Sequence, residues 1–321
     1  MYRRPRTGRR LLKALLPVAL LIVLALVAFA AWVVYGATHP PRRAYLVTPE
    51  KFGQLSARGL KATDETWSNR DGTRARGWLL RGAEGAPAVV LLHRYGADRS
   101  WVLNLGVKLN ESSNFTVLLP DLRGHGETPL VAANSFGSRE AEDVSAAIDY
   151  LRSLTTAQGR PLVGRSVGLY GAQLGAYAAL LAARHDPGIA ALVLDSVPAS
   201  PDELLGEAVK TSTGMDNGLL RALARLGARV YFLSGYHNIE SCVAARDLKG
   251  RRVLLLSGED AGSLRASTDA LASCFGGQSE VEVKTDLPLT GSTLAYSTGE
   301  QGETYDRRVI EYFSRNLSGD K

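Results

Sequence analysis

The sequence predicts an α/β protein: a mostly parallel central sheet with helices on both faces, standing behind one apolar N-terminal helix. Three observations lead there. Short, continuous apolar runs of strand length alternate with helix-like segments from about residue 88 onward. Such runs belong to strands buried on both faces, and their alternation with helices means parallel crossovers. The runs are preceded by an Asp-Gly turn between two candidate strands, a hairpin signal. Ahead of everything lies an uncharged run of about 22 residues, Ala14 to Tyr35, long enough to cross a bilayer.

The elements follow in order. Glu65–Asn69 and Arg74–Leu80 flank Asp71-Gly72 and form the predicted hairpin. Ala88–Leu92 and Phe115–Leu119 are buried strands, with Ser100–Leu109 the helix between them. Glu140–Leu154 is a helix, Val167–Tyr170 a strand, and Leu174–Arg184 an Ala- and Leu-rich helix. Ala191–Leu194, Arg252–Leu256 and Val281–Val283 complete the strands, and Asp306–Asn316 is the last helix. The stretch from about 199 to 241 breaks the alternation, being helical with no strand partner before Arg252. It reads as a cap inserted over the strand ends; an ordinary long crossover helix pair is the alternative. In open parallel sheets, ligands bind beyond the carboxyl ends of the strands.

Charge separates the chain into parts. The 321 residues carry a formal charge of +6 with a pI near 9.3. Arg3, Arg4, Arg6, Arg9, Arg10 and Lys13 supply six positive charges in the first 13 residues, so the rest is neutral. A basic face for nucleic acid is therefore not indicated. The basic tail before the span, against Arg42 and Arg43 after it, predicts a cytoplasmic N-terminus and an extracytoplasmic domain on the cell membrane. Trp32 and Tyr35 suit an interfacial belt. A cleaved signal peptide, with Ala28-Phe29-Ala30 as its cleavage site, is the competing reading, although the apolar run continues past that site. The expected divisions are a tail at 1–13, a signal anchor at 14–35, a linker and lead-in at 36–60, and the domain at 61–317. Cys242 and Cys274, on the oxidising side, are either a disulfide or two buried thiols. With no metal constellation, phosphate loop or dinucleotide fingerprint, no cofactor is expected.

The chemistry turns on Gly171-Ala172-Gln173-Leu174-Gly175. It has the outline of G-x-S-x-G, in which two glycines let a nucleophile sit on a tight strand-to-helix turn. Glutamine stands where the serine would be, and its amide nitrogen is delocalised into the carbonyl and is no nucleophile. Three further segments accompany it: His93-Arg94-Tyr95-Gly96, the loop Asp121-Leu122-Arg123-Gly124-His125-Gly126, and the strand end Leu194-Asp195-Ser196.

In that order, the segments resemble the α/β-hydrolase superfamily, in particular its lipase, esterase and serine-aminopeptidase-like members, over roughly Thr48 to Asn316. The resemblance implies the α/β-hydrolase fold with a helical cap, and a site at Gln173. It also implies what is missing. The family's acid falls at Ala261, with Asp260 one place early, and no histidine follows His237. Thr293 stands near the place of the catalytic histidine. A serine nucleophile needs a base, and the base an orienting acid.

The leading expectation is a membrane-anchored domain of this fold without serine-hydrolase activity. It would bind a small apolar or ester-like ligand, or a protein partner, through Arg94, Tyr95, Gln173 and Leu174. A second expectation is a serine-independent hydrolase, with His93 or His125 as base, Asp260 or Asp195 as acid, and the Leu174 N–H as oxyanion donor. A third is an envelope interaction module with its pocket filled. Gly171, Gly175, Asp121, Arg123, Gly124, His125 and Gly126 are expected to serve the scaffold.

Overall fold

Eight strands form one sheet in the order β1-β2-β4-β3-β5-β6-β7-β8. These are β1 (Ala62–Ser68), β2 (Arg74–Leu80), β3 (Ala86–Leu92), β4 (Thr116–Pro120), β5 (Val163–Ala172), β6 (Ile189–Asp195), β7 (Arg252–Gly258) and β8 (Glu280–Leu287). The computed structural model describes residues 7–55, 60–233, 236–291, 293 and 299–317. β2 runs antiparallel to β1 and β4; every other pairing is parallel. The predicted hairpin and all six later strands are present; β2 has its predicted bounds, β4 is shifted by one residue, and the others are longer by two to six residues.

The helices are α1 (Thr7–Thr38), α2 (Pro49–Leu55), α3 (Leu103–Ser113), α4 (Ser138–Ser153), α5 (Leu174–Ala183), α6 (Pro201–Thr213), α7 (Gly218–Phe232), α8 (Ser241–Arg246), α9 (Ser263–Ala272) and α10 (Glu300–Leu317). Alternate strand residues feed two cores. Val90, Leu92, Leu169, Leu192 and Leu255 pack with Val144, Ile148 and Leu180 of α4 and α5. Val89, Leu91, Tyr170, Val193 and Leu254 pack with Leu103 of α3 and Val309 and Phe313 of α10. The period of two in a pleated strand sends neighbours to opposite faces, which is why these strands are apolar at every position.

One expected element differs, and two helices were not expected. The helix from Ser100 opens as one tight turn, Arg99–Val102, before α3 begins. The Asp98 carboxylate accepts from the Ser100 N–H and holds that turn. The short α2 and the ten-residue α9 carried no clear signal in sequence.

The segment after the apolar run is not a free linker. α1 continues to Thr38, and Val33, Val34, Ala37 and Thr38 are buried against the body. The Ala37 carbonyl accepts from Tyr95 Oη at 2.7 Å, and the Thr38 carbonyl from the Asn134 N–H at 2.8 Å. Beyond it, Tyr45 Oη donates to Asp121 and the Leu46 N–H to Ser100. A helix whose last carbonyls would otherwise be orphaned finds partners in the domain. Cys242 of α8 and Cys274, just after α9, are disulfide-bonded with Cα atoms 5.2 Å apart.

Candidate functional site

The tight turn between β5 and α5 is intact. Gln173 has φ 49° and ψ −107°, a conformation that costs an L-residue strain. Its N–H donates to the Asp195 carbonyl at 2.9 Å. The flanking glycines are sterically required. A Cβ at Gly171 would stand 2.3 Å from the Gly175 backbone, and one at Gly175 would stand 2.5 Å from the Leu92 carbonyl oxygen. Strand and helix thus approach at backbone distance, and Gln173 is held at their junction. Leu174 opens α5, so its N–H lies among the helix's unpaired first donors; its side chain is fully buried.

Gln173 faces a cleft of about 980 Å³. Gly36 of α1 and His39 just after it form one wall, Arg94 and Tyr95 another, Leu204 and Ala208 of α6 a third, and Asp260 closes a side. α6 and α7 therefore lie over the strand ends, as a cap does. Polar and charged residues line much of this space, including Glu207, Lys210, Asp216 and Arg221. Such a lining suits a ligand with a polar group better than a purely apolar one. Arg94 lies along the wall: its guanidinium stacks over Trp101 at 4.3 Å and donates to the Tyr95 carbonyl at 2.9 Å. Tyr95 lines the cleft while its hydroxyl holds the end of α1.

Asp260, one place before the expected acid position, meets the segment expected to carry the histidine, and does so without an imidazole. The Asp260 carboxylate accepts from Thr293 Oγ1 at 2.5 Å, from Thr290 Oγ1 at 2.9 Å and from the Thr290 N–H at 3.2 Å. Sequence placed Thr293 near the histidine's position, and the geometry couples it to Asp260. A threonine hydroxyl is a donor and acceptor with no accessible basic nitrogen, so it cannot take a proton from a nucleophile at neutral pH. Ser292 and Leu294, beside it, lie outside the described residues.

The remaining histidine candidates are braces. The Leu122 N–H donates to His93 Nε2 at 3.0 Å, leaving Nδ1–H to donate to the Arg94 carbonyl at 2.8 Å. The Gly96 N–H donates to His125 Nε2 at 3.0 Å, and His125 Nδ1–H donates to the Arg123 carbonyl at 2.9 Å. Both rings are buried with both nitrogens engaged. Burial pushes His93 down to about 4 and His125 down to about 3, the neighbouring His93 adding to the latter shift. Neither lines the cleft, so the reading of either as a general base is corrected: each nitrogen already serves the backbone. Asp195 is likewise no free acid. It is fully buried, accepts from the Gly291 N–H at 2.5 Å, Ser196 Oγ at 2.7 Å and Tyr305 Oη, and burial raises it to about 6.

The loop from Asp121 to Gly126 ties four elements together. Asp121 accepts from Tyr45 Oη, Arg76 and the Arg99 N–H. Arg123 forms a buried bidentate pair with Asp143 of α4 and reaches Asp71 of the hairpin at 3.2 Å. Gly124 and Gly126 adopt positive φ, and a Cβ at Gly126 would strike the Asp121 carboxylate at 2.6 Å. This arrangement braces the loop behind the cleft, which none of these residues lines.

A mostly parallel sheet, a strained elbow at the end of β5 and a cap between β6 and β7 define an α/β-hydrolase scaffold. The chain belongs to the alpha/beta hydrolase family, whose sequence model matches residues 89–296. It is 26% identical over 141 residues to a polyketide transferase of a Penicillium species, covering 43% of this chain and 46% of the relative. The chain thus spans about half the length of that curated relative. An esterase of Pyrococcus furiosus superposes with a TM-score of 0.63 at 20% identity, covering 87% of this chain and 98% of its own. The crystal structure of the Penicillium protein superposes at 0.56 with 17% identity, covering 81% and 100%. These likenesses establish the fold; the identities are too low to carry an activity.

Proposed function

We propose that this protein is a membrane-anchored, extracytoplasmic α/β-hydrolase-fold domain that binds a small ester-like ligand in its cleft without hydrolysing it. One observation carries the reading. The elbow stands at full strain around Gln173, while the group coupled to Asp260 is a threonine hydroxyl rather than an imidazole. Nucleophile and base are thus both missing from a site whose walls are in place. The solved relatives that act on esters or polyketides support an ester-like ligand, and the charged lining calls for one with a polar group. α1 supports the anchor: Ala14–Thr38 is long and apolar enough to cross a membrane and carries no charge, and the basic tail before it favours a cytoplasmic N-terminus.

The test uses the full chain in detergent micelles, with a series of short- and long-chain esters and a fluorophosphonate probe for activated serines. Wild type shows no hydrolysis above buffer and no labelling. Gln173→Ser alone also stays unlabelled, because its hydroxyl has no base. Saturable ester turnover by wild type, lost when the cleft is blocked, overturns the proposal.

A further inference from the structure

The cap helix α7 presents three different faces. Leu220, Ala224 and Ala228, four residues apart, are buried against the body. Gly227 stands against the anchor: a Cβ there would meet Val34 Cγ2 at 2.5 Å and would lie 4.0 Å from the Ala30 carbonyl oxygen. The third face is apolar and bare. Leu219, Leu226, Val230 and Leu233 are 71%, 63%, 66% and 79% exposed. The spacing of seven and four residues sets Leu219, Leu226 and Val230 on one stripe of a 3.6-residue helix, and Leu233 follows directly after its last residue. Arg221, Arg225 and Arg229 follow along another side. Arg221 pairs with Asp216 at 3.1 Å, and Arg225 and Arg229 reach Asp202 at 4.0 and 3.8 Å.

The height of this contact identifies what covers the bare stripe. The apolar span begins at Ala14. At 1.5 Å per residue, a hydrocarbon core of about 30 Å is crossed in about 20 residues, which ends near Trp32 to Val34. α7 therefore touches α1 where the span leaves the hydrocarbon. Trp32 and Tyr35, both exposed, mark the same level with the side chains that favour an interface. The stripe lies on the flank of α7 next to Gly227, and so beside the exposed apolar surface of α1.

We infer that α7 is an interfacial helix, with Leu219, Leu226, Val230 and Leu233 seated in the outer surface of the bilayer that holds α1. This rests on the proposed anchor. An amphipathic helix with an apolar stripe and flanking arginines lies in the interface plane, and the long arginine stems let their charges reach the headgroups. A soluble partner would have to compete with lipid for the same face. The cap is then fixed to the membrane at two points, and the cleft under α6 and α7 opens at the bilayer surface, where an amphipathic ligand partitions.

Both native cysteines are bonded, so one introduced thiol labels alone. The full chain carrying Leu226→Cys is labelled with an environment-sensitive dye and reconstituted into vesicles of phosphatidylcholine and phosphatidylglycerol. Leu21→Cys reports on the span, and Glu111→Cys, exposed on α3, reports on the aqueous side. The Leu226 dye is quenched by lipid-borne nitroxides, as at Leu21, and several-fold less by aqueous cobalt than at Glu111. Val230→Cys repeats the result. A Leu226 dye as open to cobalt as the Glu111 dye, while Leu21 remains in lipid, overturns the inference and leaves the anchor standing. A Leu21 dye open to cobalt overturns both.

Discussion

The two halves of the cleft floor obey different constraints. At the β5–α5 turn, backbone approaches backbone, and Gly171 and Gly175 leave no space for any side chain. After β7, Asp260 is bound by hydroxyls and one N–H of the loop that follows β8, a set that several residue types could supply. The first half is specified by packing and stands whether or not chemistry occurs there. The second half has its architecture and has no imidazole. A scaffold and its reaction can therefore part company, because the scaffold depends on where atoms are excluded and the reaction on which atoms are present.

Substitutions can break or sharpen this contrast. The largest effect is expected at the elbow. Gly171→Ala forces a Cβ into the Gly175 backbone, and since overpacking even against movable side chains costs about 1–3 kcal/mol, chemical denaturation should show a loss at or above that range. A milder result would mean that the turn can open, and the contrast would fail. At Gln173, glycine is compared with alanine so that the lost amide cancels. Gln173→Gly should be more stable than Gln173→Ala by about 1–2 kcal/mol, the cost of holding a non-glycine residue in a sparsely populated region. Equal midpoints would show that the elbow is relaxed around glutamine.

The braces add a pH dependence. His125 is protonated at about 3 in the fold and at about 6.5 when unfolded. Between these values only the unfolded chain takes up the proton, so the stability His125 contributes above pH 6.5 is lost as pH falls toward 3. His125→Gln removes that linkage. Its penalty, measured by denaturation from pH 7 to pH 5, should shrink by about 1 kcal/mol per pH unit below 6.5. A constant penalty would mean that the ring takes a proton in the fold, reopening it as a base. The smallest effect belongs to the other half of the floor. Thr293→Val removes one of the donors to Asp260 among the described residues and should cost about 1 kcal/mol in chemical denaturation. An unchanged denaturation midpoint would mean that Thr290 holds Asp260 without that hydroxyl.

Much of this was legible from residue order. Apolar runs of strand length gave β3 to β8, and Asp71-Gly72 gave the β1–β2 hairpin, because these signals are local. The glycines of the elbow and of the loop at Asp121 marked the turns for the same reason. The absence of a histidine after His237 is a fact of sequence alone, and it excludes the usual base at that place without any coordinates. α2 and α9 were hidden, being short and lacking a distinctive period.

Other features depended on distance between segments far apart in the chain. Residue order could not decide between braces and bases for His93 and His125; the backbone N–H groups of Leu122 and Gly96 decided it. Nor could it join Asp260 to Thr293, or distinguish two thiols from the Cys242–Cys274 bond. The segment after the span looked like a linker because Pro40 and Pro41 punctuate it. Only the fold brought Tyr95 and Asn134 to the last carbonyls of α1 and made that segment a wall of the cleft. Sequence determines what each stretch can bury and what each side chain can donate or accept. Tertiary structure decides which donor meets which acceptor, because that depends on loop closures that no local pattern encodes.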